Sequence, residues 1–257
     1  MLPDVQKNEL LKFAEHLADL AGEVVRMHYA QPTIAVEIKA DGSPVTIADK
    51  EAERVMRGAI HAQYPDHGIV GEEYGIERAD AKFCWVLDPV DGTKSFVARV
   101  PLFTTLVGLL YEGQPAIGVI DQPILRERAV GDGLTATFNG RPTKAVSVAL
   151  KSAKLMTTDV ENIARAQPKA HWADLAQQCD FSRTWGDGYG HMMVAAGRAH
   201  IMADPIMNPW DLIPVLPVLR GAGAVVTAWD GSDPVAAGNA VAAAPELHAE
   251  VLRILRG

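Results

Sequence analysis

The sequence predicts an α+β half followed by an α/β half, packed together as one body. Apolar residues recur at intervals of three and four from about Asp4 to Ala30, the period of a long amphipathic helix. Between Phe103 and Val148, short apolar runs separated by glycine turns read as an antiparallel sheet. Beyond Lys151, short strands alternate with helical segments, the mark of an α/β unit.

Taken in order, the opening helix carries Leu10, Leu11, Ala14, Leu17, Ala21 and Val25 on one face. A Gly-Ser-Pro turn after Asp41 leads to a second helix that ends near Tyr64 and bears Asp49. Ile69 to Gly71 and Phe83 to Leu87 are strand candidates, and each runs into acids, at Glu72 and Asp88. Two strands joined at Glu112-Gly113 fill Phe103 to Asp121. In the second half, strands are expected at 155–157, 181–183, 201–203, 225–227 and 240–243. A boundary near residues 145–152 divides the chain into residues 1–148, with most of the acids of interest, and residues 149–257.

Composition narrows the function. Asp and Glu outnumber Lys and Arg by 32 to 24, for a net charge of −8, and no basic stripe is available for a nucleic-acid backbone. Cys84 and Cys179 fit neither a disulfide framework nor zinc-ligand spacing, so reduced, buried thiols are expected. Without a signal-like N-terminus or an apolar run of membrane length, a cytoplasmic protein is expected, with no membrane partner. Gly221-Ala222-Gly223 follows a helix and precedes a strand, the reverse of a dinucleotide fingerprint, and no Walker A segment is present. His191 reads as a core or pocket-wall residue, and His61, His67 and His171 read as surface.

Chemistry concentrates at Trp85-Val86-Leu87-Asp88-Pro89-Val90-Asp91-Gly92-Thr93. One reading is a strand and a proline turn with Asp91 as helix N-cap. The other starts from Asp88, a carboxylate at the end of an apolar strand that needs a cation or several donors. Hard divalent ions bind such oxygen ligands. Gly92 allows close backbone approach and the helix start at Thr93 offers N–H groups to an anion. Thr93 is either a helix-start hydroxyl or the group that orients an attacking water. Glu72 and Glu73, Asp49, and Asp211 before a helix running from Leu212 to Arg220 are ordinary singly, as a solvated pair, a surface helix residue and an N-cap. Their joint occurrence favours a metal site.

These residues together resemble the inositol monophosphatase-like, magnesium-dependent phosphatases. The resemblance spans about Asp41 to Gly231 and rests on Asp88-Pro89-Val90-Asp91-Gly92-Thr93, on Trp210-Asp211 with its helix and Gly221-Ala222-Gly223, on Gly71-Glu72-Glu73 and on Thr46-Ile47-Ala48-Asp49. It implies a layered α-β-α-β-α sandwich of the inositol monophosphatase and fructose-1,6-bisphosphatase type, commonly a homodimer. It further implies that Glu72, Asp88 and the Val90 carbonyl hold one magnesium and that Asp88, Asp91 and Asp211 hold a second. A third, weaker ion near Glu72 is allowed. Asp49, Thr93 and Glu72 would then serve catalysis, and the N–H groups of Gly92 and Thr93 would bind phosphate. Two ions so placed stabilise both oxygens of an in-line displacement.

Within the family, Lys94-Ser95-Phe96, Arg183-Thr184-Trp185-Gly186-Asp187-Gly188-Tyr189-Gly190 and Asp204-Pro205-Ile206 look most like histidinol-phosphate phosphatases. The implied substrate, a small phosphate monoester, is then L-histidinol phosphate. Its ammonium and imidazole suit Asp187 and Asp204, implied to face the leaving alcohol. Inositol 1-phosphate and 3′-phosphonucleotides are the alternative substrates, and a metal-binding scaffold is the non-enzymatic alternative. Gly188, where similar sequences often carry a larger residue, predicts a roomier pocket, and Pro214 is expected in the first turn of its helix.

Overall fold

A computed structural model describes residue 2 and residues 4–40, 42 and 44–257, and the side chains of residues 4 and 5 are excluded. The expected turn after Asp41 includes Ser43, so it lies outside the described residues.

The chain opens with α1 (Asp4–Tyr29), then the short pair β1 (Val36–Ile38) and β2 (Pro44–Thr46). Next come α2 (Ile47–Gln63), β3 (Gly68–Gly71), β4 (Gly75–Glu77), β5 (Phe83–Asp91) and α3 (Thr93–Val97). The strands β6 (Thr104–Tyr111), β7 (Gln114–Gln122), β8 (Glu127–Gly131), β9 (Ala136–Phe138) and β10 (Arg141–Pro142) complete the first half. The second half contains β11 (Lys154–Met156), α4 (Val160–Ala166), α5 (Trp172–Gln178), β12 (Phe181–Arg183), α6 (Asp187–Ala195) and β13 (Ile201–Asp204). It ends with α7 (Pro209–Gly221), β14 (Val225–Thr227), α8 (Pro234–Ala237), β15 (Ala240–Ala243) and α9 (Pro245–Arg256).

Besides the β1–β2 pair, two larger open sheets form among the described residues. The larger has the order β10-β9-β8-β7-β6-β5-β3-β4 and is antiparallel except where β3 runs parallel to β5. The smaller, β12-β11-β13-β15-β14, is parallel at β11 and antiparallel at β15. The five strands expected in the second half are those of this sheet. The β6–β7 hairpin turns on Glu112 and Gly113, both at positive φ, as a tight turn matched to strand twist requires.

Side-chain alternation along the strands makes each sheet bury both faces. Trp85, Leu87, Val107, Leu109, Ile117 and Val119 pack against Leu10, Leu17, Ala21, Met56 and Ile60 of α1 and α2. On the opposite face, Leu106 and Ile120 meet α6 and α7, whose other sides meet Met156, Met202 and Ala242 of the smaller sheet. Leu155, Ile201, Val241 and Ala243 then cover Leu175, Leu247 and Val251 of α5 and α9. The layers are therefore α-β-α-β-α.

The central helix α7 lies unusually close to the sheet beneath it. Gly108, Gly118 and Gly131 are cross-strand partners on β6, β7 and β8. A methyl group at Gly118 would sit 1.9 Å from the Pro214 carbonyl oxygen, and one at Gly131 would sit 2.5 Å from that of Pro217. This glycine row is a trough for the helix backbone. The same close approach lets Gly133 N–H donate to the Pro217 carbonyl at 3.0 Å, and the helix holds two prolines in its interior, Pro214 and Pro217. Pro214 is thus well inside the helix and not in its first turn, because the helix begins at Pro209 with Asn208 as N-cap.

Candidate active site

Asp88 and Asp91 are three residues apart, so in a regular strand they would face opposite sides of the sheet. The register of β5 slips between them: Asp88 pairs with Leu106 and Asp91 with Thr104, leaving one extra residue on β5. This bulge turns both carboxylates toward one cavity and takes Pro89 and Val90 out of the ladder. Thr105 Oγ1 donates to the Pro89 carbonyl at 2.8 Å, and the Thr93 hydroxyl lies 3.1 Å from the Val90 carbonyl, one of two acceptors within its reach.

The helix α7 supplies the third acid. Asp211 is not the N-cap expected from sequence but the third helical residue, and its Oδ2 accepts from Asn208 N at 2.7 Å in a capping box. One carboxylate oxygen from each of Asp88, Asp91 and Asp211 lies within 4.8 Å of the others. Asp88 Oδ1 accepts from Val90 N at 3.1 Å, and Asp91 Oδ2 accepts from Thr104 Oγ1 at 3.1 Å and Gly188 N at 2.5 Å. Among the described residues, no lysine or arginine bonds to any of the three.

Burial pushes Asp88 and Asp91 well above the ordinary carboxylate range. Glu72, Asp91 and Asp211 add repulsion at Asp88, and Asp187 and Asp211 add it at Asp91. Burial also pushes Asp211 up to about 6, against the hydrogen bond from Asn208. Converging, all-oxygen and short of positive charge, the trio fits a hard divalent cation.

Glu72 lies on the wall of the same cavity, of about 390 Å³, together with Val90, Gly92, Thr93, Lys94 and Asp187. Its Oε1 accepts from Lys39 Nζ at 2.8 Å, and the same ammonium reaches Glu73 at 2.7 Å. Burial, with repulsion from Glu72 and relief from Lys39, brings Glu73 up to about 7. The structure thus places Glu72 beside the trio, already paired with a cation that sequence reading missed.

Asp49 is fully buried, not a surface residue. It is the third residue of α2, where Oδ2 accepts from Thr46 N at 2.9 Å and Thr46 Oγ1 at 2.6 Å. Its Oδ1 faces Thr93 Oγ1 at 3.3 Å across 44 residues of sequence. Burial raises its pKa, opposed by the bonds from Thr46. Asp49 is absent from the cavity lining, so it reaches the site through the Thr93 hydroxyl.

On the far side, Asp187 starts α6 with φ of 50°, and burial pushes it up to about 6 while Lys94 pulls it down. A methyl group at Gly92, where φ is 90°, would stand 2.9 Å from Asp187 Oδ2, so this carboxylate overhangs the Gly92 turn. Asp204 sits deeper, in a recess of about 50 Å³ shared with Asp187 and Gly188. Thr158 joins the two acids: its hydroxyl donates to Asp204 Oδ2 at 2.8 Å and accepts from Asp187 N at 2.8 Å. Sequence reading also missed Thr158, which carries no motif of its own.

Gly188 does not enlarge the pocket. A methyl group there would meet Thr104 Oγ1 at 2.3 Å and Asp91 Oδ2 at 2.6 Å, so glycine is needed for its N–H to reach Asp91. His191 is fully buried with neither ring nitrogen hydrogen-bonded, 4.0 Å from Asp204, and burial pulls it down to about 3. His67 is not a surface residue: it stacks on Tyr64 and Phe83 and accepts from Trp85 Nε1 at 3.1 Å. Cys84 is buried as expected, whereas Cys179 is half-buried. Among the described residues, no helix is long and apolar enough to cross a membrane.

The raised carboxylates make a stability prediction for protein in chelator. An unfolded aspartate titrates near 3.9, so between about 4 and 6 the folded state holds protons that the unfolded chain has released. Stability therefore falls as pH rises through that window. The melting temperature in chelator is expected to be higher at pH 5 than at pH 7.5, and magnesium should raise it at pH 7.5 far more than at pH 5. A chelator melting curve that rises steadily from pH 5 to 7.5 would contradict the crowding of these acids.

Comparison with known proteins follows the same lines. The model of the inositol monophosphatase family matches residues 6–257. A histidinol-phosphatase of Chlorobaculum parvum is 37% identical over 225 residues, covering 87% of this chain and 85% of that protein. One from Mycobacterium tuberculosis is 34% identical over 249 residues, covering 94% and 96%. An inositol monophosphatase structure from Zymomonas mobilis superposes with a TM-score of 0.85 at 32% identity, covering 96% of this chain and 97% of that one.

Proposed function

We propose that this chain, which belongs to the inositol monophosphatase family of phosphate-monoester hydrolases and shares its layered fold, hydrolyses L-histidinol phosphate with magnesium. The observation that carries the substrate is the overhang of Asp187 above the Gly92 turn, with Asp204 behind it. A phosphoryl group seated on the N–H groups of Gly92 and Thr93 would direct its alcohol toward Asp187, where an ammonium or imidazolium finds a carboxylate.

Glu72, Asp88, Asp91, Asp211 and the Val90 carbonyl would hold two magnesium ions, which supply charge stabilisation for the phosphoryl oxygens. Thr93 Oγ1 orients the attacking water by accepting its hydrogen bond while donating its own proton toward Asp49. Asp49, desolvated and raised, is the acceptor at the end of that chain. Asp91 stays in place because Gly188 N and Thr104 Oγ1 bind one of its oxygens.

The test is phosphate release from histidinol phosphate, inositol 1-phosphate and adenosine 3′,5′-bisphosphate, each with and without magnesium. Magnesium-dependent turnover with the highest kcat/KM on histidinol phosphate is expected. Preference for inositol 1-phosphate would move the substrate and leave the metal chemistry standing, whereas no release from any of the three would favour a scaffold.

A further inference from the structure

Asp49, Glu53 and Arg57 are spaced four apart on α2, which places them in one row along the helix. All three are buried. Asp49 faces Thr93, but the other two face the turn from Gly71 to Gly75 that carries Glu72. Glu53 is fully buried: Oε2 accepts from Glu73 N at 2.7 Å, and Oε1 accepts from Tyr74 N at 3.1 Å and Arg57 Nε at 2.7 Å. Arg57 then donates to the Gly75 carbonyl at 2.5 Å and to Glu77 at 2.7 Å. A carboxylate and a guanidinium thus grip consecutive backbone groups of one turn with charge-assisted bonds.

Gly71 is shaped to this grip. A methyl group there would lie 2.0 Å from Glu53 Oε1 and 2.9 Å from an Arg57 nitrogen, so only glycine lets the pair reach the turn. On the opposite side Glu72 N donates to the Leu87 carbonyl at 3.2 Å, one residue before Asp88 on β5. The turn is held between α2 and the strand that carries Asp88.

We propose that Glu53 and Arg57 are positioning residues that hold the Glu72 turn against β5, so that α2 sets the Glu72 side of the metal site and the Asp49–Thr93 pair together. The proposal rests on the reading of Glu72 as a ligand. Loss of a residue that orients a metal ligand typically costs about 10–100-fold in metal affinity or activity, and because this grip is on the turn and not on the reacting groups, its effect is expected on affinity.

The test is a Mn2+ titration followed by electron paramagnetic resonance on wild type, E53Q, R57K, G71A and E72Q, with the magnesium dependence of turnover measured in parallel. E53Q and G71A are expected to weaken Mn2+ binding about tenfold, and R57K less, because lysine cannot bridge Glu53 and Gly75 at once. The magnesium concentration for half-maximal activity should rise alongside, with kcat at saturating magnesium within about twofold of wild type. A merely structural role would lower the melting temperature in chelator and leave both metal curves in place, and that result overturns the proposal. Should E53Q not fold, R57K decides by the same readout. Weakened binding in E72Q with wild-type binding in the Glu53 and Arg57 variants overturns this proposal alone. Wild-type binding in E72Q overturns the ligand reading and this proposal with it.

Discussion

Replacing Asp91 by Asn is expected to lower magnesium-dependent phosphate release by about 10²–10³-fold while raising the stability of the metal-free protein. The two effects share one cause. Asp91 is buried among Asp187, Asp211 and Asp88, and its charge is raised in energy by each of them. Asparagine keeps a carbonyl oxygen for Gly188 N and Thr104 Oγ1, so the packing around β5 and α6 is retained. What disappears is the negative charge, which repels its neighbours without metal and attracts the cation with it. Melting in chelator at pH 7.5 should rise by about 2–4 °C for each kcal/mol of repulsion relieved. Activity assays and melting curves on one preparation check both halves. Unchanged turnover would remove Asp91 from the site, and a lower chelator melting temperature would show that its charge is satisfied by contacts other than a metal.

Much of this site was legible in the sequence because its acids stand beside strong local signals. Asp88 ends an apolar strand, Asp91-Gly92-Thr93 marks a strand-to-helix change, and Asp211 opens a helix. The hairpin at Glu112-Gly113 was equally readable from its turn glycine, and the five short strands of the smaller sheet from their alternation with helical segments. The bulge between Asp88 and Asp91 was less so: Pro89, which cannot donate to a ladder, marks a break there, but only the pairing with β6 tells a bulge inside the strand from a turn that ends it. The start of α7 was not legible, being expected at Leu212 with Pro214 in its first turn but placed at Pro209, and the trough that Gly108, Gly118 and Gly131 form for it comes from three separate strands. Glu53 and Arg57 escaped for a different reason. A Glu–Arg pair four apart in a helix reads as a solvated salt bridge, and only burial by the Gly71 turn changes its meaning.

Those same tertiary constraints bear on why the acids tolerate one another. The trio comes from β5 and α7, the helix that a row of glycines on β6, β7 and β8 lets lie close on the same sheet, and its backbone anchors are Val90, Gly188 and Asn208. None of these contacts requires a metal. The repulsion is therefore held by packing of the large central core around α7, which buries Leu212, Val215, Leu216, Val218 and Leu219. A cation binding to acids held this way would not have to assemble them, so its binding energy would not be diverted into doing so.

Asp187→Asn is the second large effect, and it separates substrate from chemistry. Asparagine is the fitting replacement, because residue 187 adopts φ of 50°, a region that Asn enters more readily than Ala. The backbone N–H still reaches Thr158 Oγ1, so Asp204 keeps its partner and the start of α6 is preserved. Only the charge above the Gly92 turn is lost. A charge-assisted hydrogen bond to a substrate cation contributes roughly 1.5–3 kcal/mol, so KM for histidinol phosphate should rise by about 10–100-fold. Inositol 1-phosphate presents hydroxyls there and no cation, so its KM should rise by less, up to about tenfold, because a hydroxyl keeps a hydrogen bond to the asparagine oxygen and loses only the charge on its acceptor. Steady-state kinetics on both substrates at saturating magnesium measures the difference. Equal losses on the two would place Asp187 on the phosphoryl side of the site, close to Asp91, and would leave the cationic alcohol without a partner in this cavity.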